Sequence, residues 1–176
     1  MSGKIKIALS SCLLGHAVRY DGLDKRNDGL IKNLADVFEL VAVCPEVMAG
    51  LGVPRPAVQL VKIDAKIRAL GVIDPRLDVS SGIINAAKEF MQTSDGICGM
   101  ILKSRSPSCG IDSAKVFDLE NNVIDYDSGL FASYVKHQRS GFPIVEDDQL
   151  DEPDRVIEFC QQVHDFARQS GIAGSV

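Results

Sequence analysis

Apolar residues cluster in three short segments of the chain, at residues 4–10, 38–43 and 97–103, and this pattern predicts three β-strands. The first two run up to a cysteine, and the serine-rich loop that follows the third contains another. The apolar segment 142–145 is predicted as a further core strand, and a small hairpin is predicted to start at residues 115–118. The chain thus repeats the order of strand, loop and cysteine.

Helix-like segments lie between these strands, at residues 30–37, 80–93, 128–138 and 153–169. The last of them opens with Asp-Glu-Pro, which is typical of a helix start. Strands that alternate with helices favour a parallel sheet with helices packed on its faces. We therefore predict one α/β domain over residues 1–176, a three-layer sandwich with a mainly parallel, Rossmann-like sheet.

Ligands of open parallel sheets bind outside the carboxyl ends of the strands. Cys12, Cys44 and Cys109 should all emerge at that edge, so residues far apart in sequence can meet there. Free cysteine is also a common buried apolar residue, and this is our interpretation of Cys98, inside a predicted strand, and of Cys160, on the last helix. The placement of the other three indicates a metal or thiol site.

Composition and charge exclude several classes of partner. The 176 residues carry 19 Lys and Arg against 24 Asp and Glu, a net charge of −5, and no basic stripe could follow a phosphate backbone. A polymeric nucleic acid is therefore not an expected partner.

No stretch approaches the roughly 20 apolar residues that span a bilayer, and the apolar N-terminal stretch is too short for a signal sequence. We expect a cytoplasmic protein without a membrane partner. The odd number of cysteines, 5, without a Cys-x-x-Cys pair, agrees with a reducing compartment.

Three motifs surround the three cysteines. They are Cys-Leu-Leu-Gly with Val-Arg-Tyr-Asp-Gly at residues 12–22, Cys-Pro-Glu with Gly-Leu-Gly-Val-Pro-Arg at residues 44–55, and Leu-Lys-Ser-Arg-Ser-Pro-Ser-Cys-Gly at residues 102–110. These motifs closely resemble those of the family that includes thiouracil desulfidase. The resemblance extends over about residues 4–150, and the order of the motifs is the same.

The resemblance implies a [4Fe-4S] cluster held by Cys12, Cys44 and Cys109, with one iron left open for substrate. It also implies an enzyme of sulfur metabolism, a desulfidase that converts 2- or 4-thiouracil to uracil with release of sulfide and without redox change. The expected partner is a small thiolated base or nucleoside. A thiocarbonyl sulfur is a soft donor, so an open iron suits it better than a carbonyl oxygen does.

Such a reaction needs a proton-transfer group, and Glu46, in the Cys-Pro-Glu turn, is the best-placed carboxylate. Alternatively, Glu46 caps the helix that follows, at residues 47–51, or is a solvated surface charge. Ser106 is predicted as a second catalytic residue, and Ser108 as a substrate contact, although Ser-Pro-Ser is also ordinary turn sequence.

The segment Arg19-Tyr20-Asp21 follows the first cysteine, and we predict that it binds the substrate by stacking on and hydrogen-bonding to a flat heterocycle. A simple surface pair of Arg19 with Asp21 is the alternative. Arg55 remains available for an anionic group.

Two other functional classes fit the cysteines. One is a non-catalytic iron–sulfur or zinc-binding module, in which a ligand from outside the trio completes the site. The other is a thiol enzyme with Cys109 as the nucleophile, although no histidine or second cysteine stands near it in sequence.

Overall fold

The computed structural model of the protein describes residues 3–172. Strands and helices follow one another in the order β1 (Lys6–Ser10), a 3₁₀ turn (Ser11–Leu14), α1 (Asp28–Ala35), β2 (Glu39–Val43), α2 (Pro45–Met48), β3 (Val58–Ile63), β4 (Lys66–Gly71), α3 (Ser80–Thr93), β5 (Ile97–Leu102), β6 (Ala114–Phe117), β7 (Val123–Asp127), α4 (Leu130–Gln138), β8 (Ile144–Glu146), a second 3₁₀ turn (Asp147–Leu150) and α5 (Pro153–Gln169).

The first sheet has the strand order β2-β1-β5-β8, and all of its strands are parallel. All six residues of β5 are buried, as expected for a central strand whose two faces are both covered by helices. Alternate residues of β1 point to opposite sides: Ile7 and Leu9 pack with α1 and α5, whereas Ala8 packs with α3 and α4. The predicted α/β sandwich is confirmed.

A second sheet, in the order β4-β3-β6-β7, was only partly predicted. Its β6–β7 hairpin lies where one was expected, and β3 pairs with β6 in parallel. The antiparallel pair of β3 and β4 was missed. The turn between them contains Asp64, which adopts a left-handed conformation at φ 54°. Because that turn has no glycine, the sequence lacks the usual signal of a tight hairpin.

The predicted helices are found with small shifts at their ends. Helices α3 and α5 have the predicted bounds. Helix α1 begins earlier than predicted because the side chain of Asn27 accepts a hydrogen bond from the N–H of Leu30 at 3.0 Å and so caps the first turn. Cys98 is fully buried in β5, and Cys160 is half-buried on α5. Both belong to the part of the core that lies between the first sheet and helices α1 and α5.

Strands β1, β2 and β5 end at one edge of the first sheet, where the loops that carry the three predicted ligands begin. Among residues 3–172, no helix has the length and apolar character required to cross a membrane.

Candidate active site

Cys12, Cys44 and Cys109 line one cavity of about 310 Å³ at the carboxyl edge of the parallel sheet. Cys12 lies in the 3₁₀ turn after β1, Cys44 precedes α2 directly, and Cys109 lies in the loop after β5. Parallel pairing of β1 with both β2 and β5 aligns the ends of these strands. Cys109 therefore reaches the same cavity as Cys12 and Cys44, although 65 positions of sequence separate it even from Cys44, the nearer of the two. Cys98 and Cys160 are not part of this wall.

Burial strongly affects two of these thiols. Desolvation raises the pKa of Cys109 far above that of a free thiol; the Ser10 hydroxyl lowers it, and the nearby charges of Glu46, Cys44 and Cys12 raise it further. Burial also raises the pKa of Cys12, against the lowering effect of the Arg19 charge. In the metal-free protein Cys109 is therefore a protonated thiol at neutral pH, which disfavours it as an unassisted nucleophile. A bound metal would supply the positive charge that makes it a thiolate.

The positions of the cysteines disfavour a single-ion site. Within the described range 3–172, no three His, Cys, Asp or Glu side chains form a group that could hold a metal ion. Tetrahedral zinc with Zn–S bonds near 2.3 Å would bring its sulfurs to about 3.8 Å from one another. The three thiols line one cavity of about 310 Å³, and cysteine thiolates are the usual ligands of iron–sulfur clusters.

The Glu46 carboxylate is held from two sides. Its Oε2 accepts a hydrogen bond from Arg55 Nε at 2.6 Å, and its Oε1 accepts one from the Ser108 hydroxyl at 2.8 Å. The Glu46 and Arg55 side chains are only 13% and 6% exposed, and both line the cavity. Glu46 lies in the first turn of α2, but its side-chain oxygens bond to these partners instead of capping the helix.

Arg55 also connects the segments around the cavity. Its Nη1 donates to the Gly52 carbonyl at 3.1 Å, and its backbone N–H donates to the Tyr20 carbonyl at 3.0 Å. The anionic group for which the sequence left Arg55 available is therefore Glu46, nine residues away. This contact ties the loop of Tyr20 to the turn that carries Cys44 and Glu46.

The two serines before Cys109 have different surroundings. Ser106 lines the cavity, and its Oγ accepts hydrogen bonds from the backbone N–H groups of Ser108 at 3.2 Å and Cys109 at 3.1 Å. Ser108 is 1% exposed and does not line the cavity, because its hydroxyl is directed to Glu46. This geometry favours an action of Ser108 through Glu46 over a direct substrate contact.

Only two of the three residues predicted to bind the substrate face the cavity. Arg19 and Tyr20 line the cavity, with the Arg19 Cζ atom 5.5 Å from the centre of the Tyr20 ring. Asp21 lies outside it, and its Oδ1 is 3.4 Å from Arg19 Nε and accepts the Leu23 N–H at 3.1 Å. Asp21 is thus placed to orient Arg19, while the other two face the cavity.

Several known proteins resemble this chain in sequence or in fold. The sequence model of the 2-thiouracil desulfurase family matches residues 7–148. The chain belongs to the 2-thiouracil desulfurase family. YbbK of Bacillus subtilis (strain 168), described only as an uncharacterized protein, is 27% identical over 157 residues, which are 83% of this chain and 98% of YbbK.

A solved structure described as the [4Fe-4S]-dependent thiouracil desulfidase TudS is similar in fold, with a TM-score of 0.67 and 29% identity. The match covers 90% of this chain and 99% of that one. The predicted family and the predicted desulfidase class of enzyme are confirmed by these matches, and the cofactor expected from the resemblance is the one that the description of TudS names.

In this member of the 2-thiouracil desulfurase family, sequence reasoning missed one charged pair at the site. Lys103 lines the cavity, and its Nζ donates to Asp147 Oδ2 at 2.7 Å and to Ser104 Oγ at 2.9 Å. Lys103 stands inside the third motif, but Asp147 follows β8, 44 residues later. No local pattern links the two positions, and only the pairing of β5 with β8 brings them together.

The loop that contains Cys109 is hydrogen-bonded to the end of β8 and to the first turn of α4, on the side away from the cavity. The buried Glu146 carboxylate accepts hydrogen bonds from the Ile111 N–H, at 2.7 Å, and from the Ser113 hydroxyl. The first turn of α4 donates the Phe131 N–H to the Ser108 carbonyl at 3.1 Å. The loop that positions Cys109 is therefore fixed by two elements that do not themselves line the cavity.

Proposed function

We propose that this chain binds a [4Fe-4S] cluster through Cys12, Cys44 and Cys109 and removes sulfur from a thiolated pyrimidine such as 2- or 4-thiouracil. The observation that carries the proposal is the convergence of three thiols, from three separate loops, on one cavity whose wall also contains the Glu46 carboxylate. Membership of the 2-thiouracil desulfurase family and the similarity to TudS support the cofactor and the class of substrate.

The donor set of this chain suits that cofactor. The cavity lining contains three cysteines, no fourth cysteine and no histidine. A cluster bound through three thiolates supplies an iron with an open position, a soft Lewis acid that prefers a thiocarbonyl sulfur to a carbonyl oxygen. The raised thiol pKa values of Cys12 and Cys109 mean that loading of the site releases protons.

The overall reaction is a hydrolysis. Water adds its oxygen to the thiocarbonyl carbon, the carbon–sulfur bond breaks, and sulfur leaves as hydrogen sulfide, so that the thiocarbonyl becomes the carbonyl of uracil without an external reductant. Protons must move from the attacking water to the departing sulfur. Glu46 is the carboxylate in the cavity wall, and the hydrogen bonds from Arg55 and Ser108 fix its orientation for that transfer.

The remaining predicted residues have supporting roles in the proposal. The Tyr20 ring and the Arg19 guanidinium offer flat surfaces and donors for a heterocycle, and Asp21 holds Arg19 in place. The Ser106 hydroxyl both shapes the Cys109 turn and faces the substrate. The net charge of −5 favours a free base or nucleoside over long RNA, and we propose that the protein acts in the cytoplasm as a single domain.

The test is sulfide release by protein prepared and reconstituted without oxygen. Incubation with 2- or 4-thiouracil should yield uracil and sulfide in equal amounts. Glu46→Gln should retain the visible spectrum of the cluster and lose roughly 10²-fold or more of the rate. Cys98→Ala is the matched control, because this cysteine is buried outside the cavity, and it should leave the rate unchanged. Cluster-loaded wild-type protein that releases no sulfide from either compound would refute the proposed activity.

A further inference from the structure

Lys103 and Asp147 form a partly buried ion pair with a fixed orientation relative to the cavity. Their side chains are 18% and 12% exposed, and the Lys103 Nζ contacts Asp147 Oδ2 at 2.7 Å and Oδ1 at 3.0 Å. Lys103 lines the cavity, whereas Asp147 does not. The pair therefore presents its positive end to the cavity and keeps its negative end behind the wall.

Neighbouring groups hold this pair in place. The Ser104 N–H donates to Asp147 Oδ1 at 2.7 Å, and the Ser104 hydroxyl accepts from Lys103 Nζ. The Lys103 N–H donates to the Ser10 hydroxyl at 2.9 Å, which joins the end of β5 to the end of β1, two residues before Cys12. A lysine with a carboxylate and a hydroxyl as partners has little freedom to turn into solvent.

Lys103 and Cys12 line the same cavity. The hydrogen bond of the Lys103 N–H to Ser10 places the backbone of Lys103 beside the end of β1, where the turn that contains Cys12 begins. Charges that are largely removed from water are screened less than surface charges. The positive charge of Lys103 therefore acts on the part of the cavity next to Cys12, and the negative charge of Asp147, behind the wall, partly offsets it.

We propose that Lys103 is a positioning residue that creates a positive field at the Cys12 corner of the cavity and so stabilises anionic sulfur there, and that Asp147 holds and moderates this charge. Anionic sulfur includes the ligand thiolates and the sulfide that the proposed reaction releases. This inference rests on the proposed function, because the sulfur-rich group on which the field acts is the proposed cluster.

The reduction potential of an iron–sulfur cluster depends on the net charge around it, so it reports this field although the proposed reaction is not a redox reaction. The experiment is an anaerobic redox titration, followed by visible and electron paramagnetic resonance spectra, of cluster-loaded wild type, Lys103→Met, Lys103→Arg, Asp147→Asn and the double variant Lys103→Met/Asp147→Asn. Lys103→Met should shift the potential downward, because it leaves the carboxylate uncompensated. Asp147→Asn should shift it upward, because it leaves the ammonium uncompensated. The double variant and Lys103→Arg should lie close to wild type.

The matched controls are Lys6→Met and Glu39→Gln. This exposed pair, 3.9 Å apart, lies at the amino ends of β1 and β2. Four residues of strand place it about 13 Å from the cysteine edge, beyond the screening length of about 8 Å at physiological salt. Neither control should move the potential.

Opposite shifts of the reduction potential in Lys103→Met and Asp147→Asn, with unchanged potentials in both controls, support the inference. A merely structural disturbance gives no reason for the two variants to shift the potential in opposite directions. Shifts in the same direction, or no shift in either, overturn it while the proposed function stands. If Lys103→Met does not assemble the cluster, Asp147→Asn decides alone, and an unchanged or lower potential overturns the inference. Wild-type protein that assembles no cluster overturns the proposed function and this inference with it.

Discussion

Gly129 is the residue at which a single added methyl group should disturb the proposed site most directly. It precedes α4, and a Cβ atom there would lie 2.4 Å from the backbone carbon of Ser108, 2.6 Å from its oxygen and 2.7 Å from the Cys109 nitrogen. All three are backbone atoms, which cannot rotate away as the end of a side chain can. Gly129→Ala should therefore push α4 and the Cys109 loop apart.

The size of the effect follows from these distances. Non-bonded carbon atoms prefer separations of about 3.5 Å, so the two segments must separate by about 1 Å. Overpacking of this kind costs about 1–3 kcal/mol. The φ of Gly129, −58°, is accessible to alanine, so the substitution also stabilises by about 0.4–1 kcal/mol through the unfolded state. Strain on the hydrogen bond from the Gly129 N–H to the Gly110 carbonyl, 2.9 Å long, adds about 1 kcal/mol of loss. The expected decrease in the free energy of unfolding is about 2 kcal/mol.

The assay is anaerobic urea unfolding of the metal-free protein, together with the iron content of the reconstituted protein. A shift of about 1 Å at Cys109 exceeds the roughly 0.2 Å tolerance of metal–ligand distances, so iron retention should fall as well. Gly29→Ala is the matched control, because Gly29 lies in α1 and the nearest atom to its added Cβ is a side-chain oxygen at 3.7 Å. It should raise the stability by about 0.5–1 kcal/mol. Gly129→Ala protein as stable as wild type, with full iron content, would refute the reasoning.

Other substitutions separate the roles of the remaining groups. Arg55→Met leaves the Glu46 carboxylate buried without its cation and should reduce the free energy of unfolding by about 3 kcal/mol, measured by urea unfolding; a loss below about 1 kcal/mol would contradict the buried ion pair. Hydrogen bonds from a serine hydroxyl and from a lysine lower the pKa of Asp112 in the folded protein. The ionised Asp112 therefore stabilises the fold above its unfolded-state pKa of about 3.9, and this stability is lost as the pH falls through the lower pKa of the folded state. Asp112→Asn should accordingly destabilise the protein at pH 7 and have no effect near pH 2, in the same unfolding assay; an equal effect at both pH values would contradict this. Cys98→Ala should leave the iron content unchanged, and lost iron would show that this buried thiol matters to the site.

The parallel sheet could be predicted because its strands are local apolar runs that end at turn residues. The convergence of the cysteines followed from the general rule that ligands bind at the carboxyl edge of such a sheet. The β3–β4 hairpin could not be predicted, because its turn is built on Asp64 in a left-handed conformation and not on glycine.

The partners of the site residues were beyond the reach of sequence patterns for a different reason. Ser108 meets Glu46 across 62 residues and Lys103 meets Asp147 across 44, and these contacts depend on how loops fold over the sheet edge. A Ser-Pro-Ser turn looks the same whether its hydroxyls face a ligand or a carboxylate. Residue type alone could therefore not show which of the predicted residues face the cavity and which contact other side chains of the site.

The most direct test of the central claim is the iron, acid-labile sulfide and zinc content of one anaerobic preparation, measured for wild type and for Cys44→Ser. The account predicts about four iron and four sulfide per wild-type chain, with negligible zinc, and loss of both iron and sulfide from the variant. Stoichiometric zinc in colourless wild-type protein, or a full cluster in Cys44→Ser, would contradict it.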